Sequence, residues 1–103
     1  MDLERLTRQD FEPHRGSTFR LAPGGGEPRD LVLVAVESLG GETSLSDAPR
    51  EPFSLVFRDP ATRKEFLPQA IYRLEHPEMP GLELFLVPIG PDAQGMRYQA
   101  VFT

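Results

Sequence analysis

Three β-strands follow one another with almost no spare residues over Gln69 to Thr103, and this run limits the fold more than any other feature of the chain. Ala70, Tyr72 and Leu74 alternate with polar neighbours, Leu84 to Ile89 is nearly all apolar, and Met96, Tyr98, Ala100 and Phe102 alternate again. A period of two, repeated three times, specifies strands that bury one face. The links between them are short, which forces antiparallel neighbours, because a parallel crossover needs a dozen or more residues. Pro88 lacks an N–H, so its stretch of strand belongs at a sheet edge or a bulge. Gly95 suits the left-handed residue that closes a hairpin loop of three to five residues over Gly90 to Gly95, and His76 to Gly81 reads as the preceding turn.

The first two thirds add three more strands. Ser17 to Leu21 places Phe19 and Leu21 inward, and Phe53, Leu55 and Phe57 alternate with Ser54 and Arg58 until Asp59-Pro60 ends the run. Leu31 to Ser38 is apolar on both faces: Leu31, Leu33 and Ala35 point one way, Val32, Val34 and Val36 the other, which predicts a strand covered on both sides. Thr7 can cap a short helical turn that presents Leu6 and Phe11 to the body, with Pro13 closing it. Gly24-Gly25-Gly26 and its flanking prolines read as a turn rather than a phosphate cradle, since a strand and not a helix follows. Leu39 to Pro52 has no period of either kind, and a loop of that length is a candidate contact surface. Phe66 and Leu67 are expected to anchor the link into the fourth strand. The expected fold is all-β: a six-stranded antiparallel sandwich or small barrel with a short N-terminal helical turn, forming one domain over residues 1–103.

Composition excludes several function classes. The chain of 103 residues has no cysteine, which removes disulfides, thiolate metal sites and cysteine nucleophiles together. Net charge is −5, with ten acids against six arginines in residues 1–52. Nucleic-acid binding needs clustered cations and is not expected. No stretch is long and apolar enough to cross a bilayer, and no basic region with an apolar run opens the chain, so no membrane association and a cytoplasmic location are expected.

Candidate chemistry is sparse. Ser17 after Gly16 lacks the flanking pattern of a nucleophile elbow, and His14 and His76 are the only histidines available as bases. A metal reading would join Glu75, His76 and Glu78, with His14 as a further nitrogen. Neighbouring residues at a strand end point oppositely, however, so Glu75 and His76 cannot both face one ion without a bend. The sequence therefore predicts no catalytic residue, no metal and no cofactor. Aromatic positions follow the core-facing alternation, which favours packed interior over a stacking platform. One feature departs from this pattern. On the alternate face, where polar residues are expected, Val56, Ile71, Phe85 and Val101 are apolar beside Arg58, Arg73 and Arg97. A second sheet or a partner should cover them.

The segments Asp10-Phe11-Glu12-Pro13-His14-Arg15-Gly16, Phe19-Arg20-Leu21, Glu51 through Phe57, Gln69 through Pro77, Leu84 through Pro88 and Tyr98 through Phe102 together resemble a bacterial family of short, single-domain proteins of unknown function. The resemblance runs over nearly the whole chain. It implies an association with genes for phage-tail-collar-type proteins, and so a role in a tail-like particle or a secreted assembly. It supplies no catalytic or binding residues. The expected function is a non-enzymatic protein-interaction or structural accessory module, with a protein partner or self-association through Val56, Ile71, Arg73, Phe85 and Val101, a sheet edge, or the Leu39 to Pro52 loop. The alternative is a small-ligand binder or minor enzyme with a pocket at Arg73, His76 and Glu78.

Overall fold

The computed structural model of the chain describes residues 6–21, 28–38, 52–60 and 67–102. The Gly24 to Gly26 turn, Phe66 and all of the Leu39 to Pro52 loop except Pro52 lie outside the described residues. A helical turn α1 (Arg8–Phe11) runs into a 3-10 turn (Glu12–His14), followed by β1 (Thr18–Leu21), β2 (Arg29–Ser38), β3 (Phe53–Asp59), β4 (Ala70–His76), β5 (Met79–Asp92) and β6 (Gly95–Phe102). The strands close into a barrel in the order β1-β2-β3-β6-β5-β4, and every neighbouring pair is antiparallel. Of the two architectures the sequence allows, the barrel is the one formed. Four-residue β1 decides it: pairing with β2 on one side, it meets β4 on the other through Arg20 opposite Glu75 and Leu21 opposite Leu74. Closure gives every strand two neighbours, although β1 and β4 share only two register pairs.

Inside, the alternation places Phe19, Leu21, Leu74, Leu82, Leu84, Leu86 and Tyr98 in one core, with Phe19 edge-on to Phe57 at a ring separation of 5.4 Å. Three bulges adjust the register. In β2 the pairing passes from Leu33 opposite Phe57 to Ala35 opposite Val56, so Val36 rather than Ala35 faces inward, opposite Leu55. The extra residue switches the face that a strict alternation predicts. The strand covered on both sides is consequently β3, whose Ser54 and Val56 are buried along with Phe53, Leu55 and Phe57. A second bulge lies between Pro88 and Gly90 on β5, where the missing proline N–H needs it. The third lies between Leu74 and His76 on β4.

Both hairpin turns are tighter than expected. Only Pro77-Glu78 separates β4 from β5, and only Ala93-Gln94 separates β5 from β6. Gly95 is therefore not the end of a longer loop. Its φ is +146°, and a Cβ there would sit 2.0 Å from the Asp59 carbonyl oxygen, so it lets the end of β3 approach β6.

One barrel end is plugged by α1. The Thr7 N–H donates to Asp10 Oδ2 at 2.7 Å, the reciprocal half of a capping box. This start aims Leu6 and Phe11 inward. The Phe11 ring lies 5.8 Å from Phe53 and 5.5 Å from Phe102, which stack on each other at 4.5 Å. Pro13 sits within the 3-10 turn and does not end the helical run, which continues to His14.

The opposite end is held by polar contacts. Here Tyr98 Oη accepts the Leu67 N–H at 3.0 Å, and Tyr72 Oη donates to the Pro68 carbonyl at 2.6 Å. Arg29 pairs with buried Asp59 at 3.8 Å. Arg58 Nε donates to both Asp92 oxygens at 3.2 and 3.1 Å, and its Nη2 also donates to Oδ2. With the Gln94 N–H donating as well, these bonds hold the Asp92 carboxyl below its ordinary 3.8. A carboxyl depressed by folding binds fewer protons folded than unfolded, so it stabilises above the unfolded value and loses that contribution as pH falls through the folded one. Asp92→Asn should accordingly lower Tm at pH 7, with the difference from the parent shrinking below about pH 4. A gap that persists unchanged to pH 2 would show that the charge on Asp92 is not the cause.

Candidate functional site

The barrel end carrying α1 also gathers the most reactive side chains. His14 ends the 3-10 turn, His76 ends β4, and Glu78 is the second residue of the β4–β5 turn. Backbone contacts place the first of these. The Gly16 N–H donates to the Leu33 carbonyl at 2.7 Å, the Leu33 N–H to the Ser17 carbonyl at 3.0 Å, and the Ser17 N–H to the His14 carbonyl at 2.9 Å. The turn is thus fastened to β2 with His14 facing the mouth. His76 follows the inward alternation of Tyr72 and Leu74 past the bulge, and its ring packs 4.7 Å from buried Phe19.

The two imidazoles meet edge to face with centroids 4.6 Å apart. His14 Nδ1 is 3.6 Å from Glu78 Oε2, and the Glu78 N–H donates to His76 Nδ1 at 3.0 Å. An accepting Nδ1 requires a lone pair there, so this bond belongs to neutral His76 with its proton on Nε2. Burial, and then the neighbouring His14, push His76 below its ordinary 6.5, while Glu78 acts in the opposite direction. The ring is neutral at physiological pH. One donor atom from each of His14, His76 and Glu78 lies within 4.8 Å of the other two. Two imidazoles and a carboxylate at this spacing can hold a cation or share a proton.

The residues picked out by sequence divide between two places. His76 and Glu78 share the barrel mouth, but Arg73 does not join them: it points from the outer wall, 3.5 Å from Glu75 and lying across Gly81. Glu75 is on that wall too, opposite Arg20, so it faces away from His76 as alternation requires. His14 enters from the other end of the sequence. Nothing local in the sequence marks its partnership with His76, from which it is separated by several strands. On the wall, Ile71 lies directly opposite Phe85. Val101 is exposed on the same outer face, since Val87 opposes Gln99 and Phe85 and Val101 are each two residues further along. Val56 is apart from them. It is only 8% exposed, because β3 is covered on its outer side, so it offers no contact surface.

Comparison with protein families gives a match over residues 6–102 to a domain of unknown function, DUF6916. The chain belongs to the DUF6916 family. No curated protein and no solved structure matches it. The limits of the DUF6916 unit coincide with Leu6 and Phe102, which are the outermost buried residues among those described. The family resemblance visible in the sequence is met to this extent, as a family of unknown function covering nearly the whole chain. No helix among the described residues of this DUF6916 domain is long and apolar enough to cross a membrane.

Proposed function

We propose that the chain is a non-enzymatic protein-interaction module that associates with a second copy of itself through the outer wall of β4, β5 and β6. The observation that carries this reading is the exposed apolar row on that wall: Ile71 is 68% exposed, Phe85 51% and Val101 53%. Three large apolar side chains side by side in water are stabilised by being covered, at about 25 cal/mol per Å² of apolar area removed. Closure of the barrel gives every strand two neighbours, which favours a side-chain surface over strand addition as the mode of docking for the described residues. The rim carries both signs of charge, with Arg73 directly opposite Glu83 and beside Glu75. A two-fold contact brings such a patch onto itself with Arg73 of one copy facing the acids of the other. Within this reading the chain takes a place in a multi-copy tail-like or secreted assembly put together in the cytoplasm, as the resemblance seen in its sequence implies.

The test is sedimentation equilibrium across a wide concentration range. A reversible dimer is expected, and Phe85→Asp should weaken it by at least about tenfold while the circular dichroism spectrum of the folded chain is retained, since the side chain touches solvent in the monomer. A strict monomer at millimolar concentration, or a dimer indifferent to Phe85→Asp, overturns the reading.

A further inference from the structure

We propose that His14, His76 and Glu78 form a binding site for a transition-metal divalent cation of the zinc type. This site is separate from the apolar wall, and the proposal does not depend on self-association. It rests on convergence: three ligand-bearing side chains from two segments 62 residues apart bring one donor atom each to within 4.8 Å of one another at one mouth of the barrel. Tetrahedral zinc with bonds of about 2.0–2.1 Å sets its ligand atoms about 3.3–3.4 Å apart. The 3.6 Å between His14 Nδ1 and Glu78 Oε2 is close to that edge. Glu78, whose side chain is 73% exposed, can turn to adjust its separation from both rings, while His14 is only 13% exposed and His76 is packed on Phe19. Two fixed imidazoles and one movable carboxylate form a preset half and an adjustable half.

The ligand set selects the metal. Imidazole nitrogens suit zinc, cobalt, nickel and copper, whereas magnesium and calcium prefer an all-oxygen shell. Three protein ligands leave a fourth position to water, and the exposure of Glu78 puts that position at the solvent side of the mouth. A bound ion would also fasten the 3-10 turn that carries His14 to the β4–β5 hairpin, joining the N-terminal plug to the barrel wall.

The site has an internal reporter. If the metal takes Nδ1 of His76, it displaces the Glu78 N–H directly; if it takes Nε2, the ring proton must move to Nδ1, which then no longer accepts. Either route breaks the bond between the Glu78 N–H and His76 Nδ1. Titration of the metal-free protein with zinc chloride, followed by amide NMR and calorimetry, should show one ion per chain and a large movement of the Glu78 amide signal. Tm should rise with zinc concentration, because the ion binds only the folded arrangement. Magnesium chloride should do none of this. Cobalt chloride should give the intense visible absorption of a four-coordinate nitrogen–oxygen site. His14→Gln should weaken zinc by at least about tenfold, and Glu78→Gln, on an exposed turn where folding is not at risk, should weaken it measurably. An unmoved Glu78 amide at millimolar zinc, or affinity unchanged in both variants, overturns the proposal.

Discussion

Phe11→Ala should lower the unfolding free energy by about 3–5 kcal/mol, the range for emptying a buried phenylalanine site. Phe11 has no exposed surface, and its ring fills the mouth between Phe53 and Phe102. Neither of those partners can move in to close the gap, because they oppose each other in the β3–β6 register and are already stacked. A four-residue helical turn has no stability of its own, so its position depends on this one side chain and on Leu6. Urea denaturation would measure the loss, which is a large part of the roughly 5–15 kcal/mol that a domain has in total. The loosening should stop short of His14, whose carbonyl keeps its bond from the Ser17 N–H. A change below about 1 kcal/mol would mean that the turn is not seated in the barrel.

Gly95→Ala is expected to be comparably damaging for a different reason. The new methyl would meet the Asp59 carbonyl oxygen at 2.0 Å, and that atom is backbone, unable to swing aside as a side-chain tip could. Relief requires β3 and β6 to separate where Asp59 opposes Met96, next to the Arg29 and Asp59 ion pair. Overpacking and a positive φ together should cost about 3 kcal/mol or more. Gly90 supplies the control: its φ is +108°, yet an added Cβ meets nothing within 4 Å. Gly90→Ala should cost only the conformational penalty, about 1–2 kcal/mol. Equal losses in the two variants, measured by thermal or urea unfolding, would show that crowding at Gly95 is not the cause.

What the sequence made legible was local. Period-two alternation located all six strands, since Phe19, Leu74, Leu84 and Tyr98 face inward as their spacing requires. It also foresaw irregularity at Pro88, because a missing donor is a property of the residue itself. It misjudged β2, where the bulge between Leu33 and Ala35 is set by the partner strand and leaves no mark in Val-Leu-Val-Ala-Val. Closure was equally out of reach. Whether β1 bends far enough to meet β4 is a property of accumulated twist and shear, which no single residue encodes. The histidine site illustrates both limits. Alternation correctly separated Glu75 from His76, yet the arrival of His14 depends on how α1 folds back over the mouth. Val56 lies on the alternate face as its spacing requires, but that it is covered there while Ile71, Phe85 and Val101 are exposed is a fact of tertiary structure.

The narrow seam between β1 and β4 has a consequence for the order in which the molecule assembles. It joins Leu21 to Leu74 across 53 positions of chain through two register pairs, whereas β4, β5 and β6 are linked by turns of two residues. Closing so long a span early would forfeit chain entropy with little packing in return, so the C-terminal meander is expected to form first and ring closure to follow it. The slowest step toward the native state is therefore expected to be the docking of its shortest strand.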